Sequence, residues 1–285
     1  SQKEGLQARL GVQNLLWEAL LIMLRLLDTF SGIGGFSYAA ERIVGGYETV
    51  AFVEREPFCQ KVLRKHWPDV PIFDDITTYT PERGSADVIC GGFPCQDISI
   101  AGRKAGIKEG TRSGLFYELM RVIRMVEPRF VILENVSAIV ADGLDIVLGE
   151  LAEAGFDAEW ACIPASAVGA CHQRDRWWLI AYSNNIRSSG QDLSLPGMRG
   201  EDEGRKAGLG NRQVLGSQRW SYRKDWGESL TSDWRSHVSK PCLPRGDDGL
   251  SNRVDRVKAL GNSVVPQVAA IPLARVLALS KETLD

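Results

Sequence analysis

Cys95 is the side chain best placed to act as a nucleophile. It lies in Gly91-Gly92-Phe93-Pro94-Cys95-Gln96-Asp97-Ile98-Ser99, directly after Ala86-Asp87-Val88-Ile89-Cys90, an apolar run with the length of a buried strand. Two glycines let the chain turn sharply, Pro94 fixes its own φ, and Phe93 is biased toward an extended conformation. Cys95 is thereby presented on a stiff turn at a strand's end, where open α/β sheets gather ligands. Taken alone, the same residues also allow a buried structural cysteine. Glu134 follows the apolar strand Arg129-Phe130-Val131-Ile132-Leu133. A carboxylate there is partly desolvated and titrates high, the property of a proton donor. A helix N-cap or an ion-paired glutamate is the plainer alternative. Arg174 and Arg176, two apart on an entering strand, point the same way.

The elements that must carry these groups alternate strand and helix. Leu24 to Phe30 reads as a strand, Ser31-Gly32-Ile33-Gly34-Gly35 as a glycine turn, and Phe36 to Arg42 as a helix. This opens a nucleotide-binding α/β unit, or is a purely structural turn. The full G-x-G-x-x-G spacing is missing, which counts against a nicotinamide cofactor. Thr49 to Glu54 is a second strand. Its terminal carboxylate, about 20 residues past the turn, is placed either to bond ribose hydroxyls or simply to face solvent. Pro57 to His66 reads as a helix, and Asp74-Asp75-Ile76-Thr77 ends a third short strand. One of these aspartates can accept a hydrogen bond from an adenine amino group or serve a turn. Ala101 to Ser113, rich in Gly, Lys and Arg, reads as a phosphate-binding or merely solvated loop. Helices are expected at Leu115 to Val126 and Asp145 to Ala154, with neighbouring strands at Phe156 to Ile163 and Trp177 to Tyr182. Ala259-Leu260-Gly261-Asn262-Ser263-Val264-Val265-Pro266 leads into an apolar helix to about Leu279, kinked at Pro272.

The 285 residues are 44% hydrophobic and 25% charged, with a formal charge of −2, which suits one large globular domain or one large and one small. The net charge does not advertise nucleic-acid binding, but a local basic face can hide in an average. Six cysteines are too sparse for a disulfide framework, and the lack of C-x-x-C and the three histidines argue against a metal site. Nothing in the sequence reads as a transmembrane helix. Residues 1–22 read as an extension, with Met23 a plausible start. From Ser183 to about Asn252 aliphatics thin out. Arg219, Arg223, Lys224 and Arg235 interleave with Trp220, Tyr222, Trp226 and Trp234, a mix suited to phosphate contact and base stacking. An irregular insertion anchored by tryptophans is the bland alternative.

Five of these pieces together resemble the DNA (cytosine-5)-methyltransferase family of bacterial or phage type. They are Asp28-Thr29-Phe30-Ser31-Gly32-Ile33-Gly34-Gly35-Phe36, Gly92-Phe93-Pro94-Cys95-Gln96, Glu134-Asn135-Val136, Arg174-Asp175-Arg176 and Gly261-Asn262-Ser263-Val264-Val265-Pro266. They occur in family order from about Arg25 to Leu279. The resemblance implies an α/β, Rossmann-like S-adenosylmethionine-dependent fold with a small, mostly irregular target-recognition domain. The implied divisions are an extension at 1–22, a catalytic domain at 23–182, a recognition domain at 183–252 and a returning segment at 253–285.

By the same resemblance, S-adenosylmethionine meets Phe30, Gly32, Gly34, Glu54 through ribose, Asp75 and Ile76 at adenine, and Pro94, while Leu115, Asn262 and Ser263 close the pocket. Cys95 is the nucleophile, Glu134 its partner carboxyl, and Arg174 and Arg176 brace the catalytic loop and target base. Thiolate addition to carbon 6 of cytosine activates carbon 5. A free thiol titrates at about pH 8.5, and a neighbouring arginine can lower that value. The family's Gln-x-Arg-x-Arg appears here as His172-Gln173-Arg174-Asp175-Arg176. The implied partner is double-stranded DNA, met by a cytoplasmic monomer in a bacterial or phage-infected cell. A cognate restriction endonuclease is an allowed biological partner. Transfer RNA as substrate, a catalytically silent DNA-binding relative and a Rossmann oxidoreductase are the competing readings. The run Gln96-Asp97-Ile98-Ser99 favours DNA.

Overall fold

The computed structural model describes residues 23–94, 114–184 and 259–282. The 1–22 extension, Cys95, the 101–113 loop and all but the first two residues of the 183–252 segment lie outside the described residues.

Seven strands form one sheet: β1 (Leu24–Thr29), β2 (Tyr47–Val53), β3 (Ile72–Phe73), β4 (Val88–Gly91), β5 (Phe130–Val136), β6 (Phe156–Pro164) and β7 (Asp175–Ser183). Their order is β3-β2-β1-β4-β5-β7-β6. The first five are parallel, and β7 runs antiparallel to both β5 and β6. The chain winds outward from β1 to β3, then restarts on β1's other side at β4. Such a reversal opens a crevice at the carboxyl ends of the strands.

Helices cover both faces, so the strands read as nearly continuous apolar runs. α1 (Gly35–Tyr38) continues into a π-helical turn at Ala39–Val44. α2 (Pro57–His66), α3 (Leu115–Val126), α4 (Leu144–Glu153) and α5 (Pro266–Glu282) follow. In α3, Phe116, Leu119, Met120 and Ile123 recur at helical spacing and all are buried, against Leu27, Ile89, Val131 and Leu133. The next residue along each strand faces the other way. Leu26, Val88, Phe130 and Ile132 therefore meet Ala269, Leu273 and Val276 of α5. The Tyr47 hydroxyl donates to the Leu273 carbonyl at 2.7 Å and ties α5 to β2.

Three boundaries differ from the sequence reading. β5 runs on to Val136, so Glu134 lies inside the strand opposite Trp178 rather than beyond its end. β7 begins at Asp175, leaving Arg174 outside it with a left-handed φ of +36°. β3 is only two residues long, and Asp75 stands in the following turn. In addition, Ala259–Lys281 is long and apolar enough to cross a membrane, with a hydropathy of 1.5, although the sequence reading identified no such stretch. Its apolar character has a core explanation: Val268, Ala269, Leu273, Val276 and Leu279 are buried in the second core layer.

Candidate active site

β1 ends at Thr29, and Phe30 turns the chain with a φ of +52°, a region costly for a bulky residue, of order 1–3 kcal/mol. Neighbouring bonds hold it there. Ser31 Oγ donates to the Asp28 carbonyl at 2.6 Å, and the Gly34 N–H to the Ser31 carbonyl at 2.9 Å. Gly32, at φ +56°, donates its N–H to Glu54 Oε2 at 2.7 Å. Glu54 Oε1 accepts the N–H of Glu56 at 2.6 Å. Glu54 is only 8% exposed, and burial raises its pKa despite these donors. It joins the ends of β1 and β2 and is not a solvated strand-end residue. Beneath the turn, fully buried Asp28 accepts the N–H and hydroxyl of Ser37 at 3.3 and 2.7 Å, pinning α1. Burial pushes Asp28 up to about 7.

β4 supplies the opposite wall. Thr29 Oγ1 donates to the Cys90 carbonyl at 2.7 Å, and a Cβ on Gly91 would collide with that Thr29 Oγ1. Only glycine fits there. Asn135 Nδ2 donates to the Phe93 carbonyl at 3.0 Å, fastening the turn that leads through Pro94 to Cys95. In the sequence Asn135 enters only as part of Glu134-Asn135-Val136, with no role of its own. Its one signal was its place beside Glu134.

Glu134 is 9% exposed. Burial pushes its carboxyl up to about 7, against the pull of the Arg176 and Arg174 charges. Arg176 Nε lies 3.1 Å from Glu134 Oε1. Arg174 turns elsewhere: its Nη1 donates to the Gly261 carbonyl at 2.8 Å and its Nη2 to the Ser263 carbonyl at 2.7 Å. The two arginines thus diverge, because the left-handed residue before the strand breaks the two-residue alternation.

One cavity of about 730 Å³ unites Phe30, Gly32, Glu54, Pro94, Leu115, Glu134, Arg174, Arg176 and Asn262. Arg55, Glu56 and Phe58 also line it, unforeseen, though all three lie within four residues of Glu54. Four other expected cofactor residues do not line it. Gly34 and Ser263 face a neighbouring groove, where a Cβ on Gly34 would lie 2.6 Å from the Trp67 ring. Asp75 sits in a separate depression, its Oδ1 accepting the N–H and hydroxyl of Thr77 at 2.9 and 2.8 Å, bonds that lower its pKa. Ile76 is buried, and its carbonyl accepts Arg121 Nη2 at 2.6 Å.

The profile of the C-5 cytosine-specific DNA methylase family matches residues 24–237. The chain belongs to that family. Among similar curated relatives, the Type II methyltransferase M.CviJI of Paramecium bursaria Chlorella virus is 38% identical over 55% of this chain and 42% of its own length. The Type II methyltransferase M.MspI of Moraxella is 30% identical over 81% of this chain and 51% of its own length. This C-5 cytosine methylase chain therefore spans about half the length of the relatives it matches. The Entamoeba histolytica methyltransferase EhMeth shares its Rossmann-like fold, with a TM-score of 0.56 at 13% identity over 92% of this chain and 99% of that one.

Proposed function

We propose that this chain transfers a methyl group from S-adenosylmethionine to carbon 5 of a cytosine flipped out of double-stranded DNA, with Cys95 as nucleophile. The observation that carries the reading is Glu134, a buried carboxyl poised near neutrality beside Arg176 in the same cavity as Glu54.

The cavity residues fit the cofactor. Its volume lies within the roughly 300–1,000 Å³ of small-molecule sites. Glu54 retains acceptor capacity suited to ribose hydroxyls, and the space a Cβ would enter at Gly32 is open, with nothing within 4 Å. Glu54, Gly32, Phe30, Leu115 and Asn262 would hold the group. When bound, S-adenosylmethionine supplies an electrophilic methyl for carbon 5.

The remaining work falls to the chain. The Cys95 thiolate forms a bond to carbon 6, splitting one hard step into easier ones. Electron density then builds on ring nitrogen 3, and the Glu134 carboxyl meets it with a proton. Arg176 orients that carboxyl and keeps its ionised form accessible, so the proton can return. After carbon 5 loses its proton to a base, the Cys95 sulfur departs. Flipping the base costs a few kcal/mol. The arginines and aromatics between 183 and 252 are suited to offset that cost and to read the target sequence. The Type II designation of both relatives supports a restriction endonuclease as genetic partner, and a DNA substrate supports action in the cytoplasm of a bacterial or phage-infected cell.

Labelled methyl groups from S-adenosylmethionine, offered duplex DNA and transfer RNA side by side, test this. Incorporation into carbon 5 of DNA cytosine is expected, with none in Cys95→Ala. Incorporation into transfer RNA alone, or activity retained by Cys95→Ala, overturns it.

A further inference from the structure

Arg174 occupies an unusual position for a residue expected beside the target base. It is half-buried, its backbone is left-handed, and its guanidinium fork spans two carbonyls of the returning segment. That segment enters the described structure at Ala259, and Ala259, Gly261 and Asn262 form one wall of the cavity. On its other side the segment lies against Gly35, where a Cβ would come within 2.6 Å of Val264 Cγ2 and 3.1 Å of Ser263 Oγ. The wall is therefore seated between the glycine turn on one side and Arg174 on the other. Two charge-assisted bonds from a planar fork fix both position and orientation, which a lysine cannot reproduce.

We infer that Arg174 is a positioning residue that latches the returning segment at Gly261 and Ser263, seats its Gly261–Asn262 wall of the cavity and thereby sets cofactor affinity, while Arg176 is the arginine that pairs directly with the Glu134 carboxyl. The two arginines of one short motif thus act at different ligands. Burying a guanidinium and holding a non-glycine residue at positive φ both cost free energy, and the two carbonyl bonds are what the structure gains in return. The inference rests on the methyltransferase reading above.

Calorimetric titration of S-adenosylhomocysteine into the full chain and into Arg174→Lys, Arg176→Lys and Gly35→Ala tests it, with melting curves to show that each variant is folded. Arg174→Lys is expected to raise Kd about tenfold or more, as loss of a charged hydrogen bond does. In steady-state assays its KM for S-adenosylmethionine should rise more than its kcat falls. Gly35→Ala should also weaken binding, because it unseats the same wall without touching Arg174. Arg176→Lys should leave Kd near that of the parent chain and shift the pH profile of kcat. If the parent chain binds no S-adenosylhomocysteine, the methyltransferase reading fails and the inference with it. If it binds and Arg174→Lys binds equally well, or Arg176→Lys weakens binding as much, only the inference is overturned.

Discussion

A carboxyl pushed up to about 7 can exchange its proton with a ring nitrogen at neutral pH, whereas an exposed glutamate is almost wholly ionised there. The opposing causes are both visible. Burial favours the neutral acid, and Arg176 at 3.1 Å favours the anion. If protonated Glu134 is the reactive form, kcat falls as pH rises through neutrality. Glu134→Gln keeps the shape and removes the titration, and should lower kcat by roughly 10²–10⁴. A pH–rate profile of both proteins checks this: the parent's falling limb near neutrality should be missing from the variant's residual rate.

At the scale of elements, the cofactor side of the site is made where β1 and β2 stop, while Glu134 is offered from within β5. Glu54 bridges the ends of β1 and β2 through two backbone donors, so it shapes the Gly32 turn as well as offering oxygens to a ligand. Glu54→Ala should therefore weaken S-adenosylmethionine binding by tenfold or more, by the magnitude of a charged hydrogen bond; an unchanged calorimetric Kd would count against this placement. What could be read beforehand was what is local in sequence. The Gly-Gly-Phe-Pro turn, the desolvation of Glu134 and the helices Pro57–His66 and Leu115–Val126 follow from neighbouring residues alone. The partners of Arg174 lie 87 and 89 residues away, beyond any periodicity. Asp75 is held by a contact of the opposite, local kind. An aspartate two residues before Thr77 can close its own turn, and that local bond leaves its carboxyl in a separate depression. The missing side chain of Gly34 makes room for the Trp67 ring, a packing role that only the fold reveals.

The whole molecule inherits a pH dependence from its buried acids. Asp28 and Glu134 both titrate near 7 when folded, above their ordinary values. Between the unfolded pKa and about 7 the folded state holds protons that the unfolded state has lost. The stability these groups contribute is thus fully present below an unfolded pKa of about 4 and is lost as pH rises through about 7. Urea unfolding should show a steeper loss of stability from acid to neutral pH in the parent than in Asp28→Asn. A variant slope equal to the parent's would show that Asp28 does not titrate there.

The placement of β7 between β5 and β6 has an optical consequence. Trp177 and Trp178 are adjacent in that strand and fully buried, and they point to opposite faces, one into the layer under α3 and the other into the layer under α5. Their indoles share one stretch of backbone but sense separate halves of the interior. Replacing Trp177 with phenylalanine removes a fully buried indole from the α3 layer, where Trp160 still packs, and replacing Trp178 removes one from the α5 layer, so the difference spectra of the two variants report on whether the two halves of the sheet's packing come apart together.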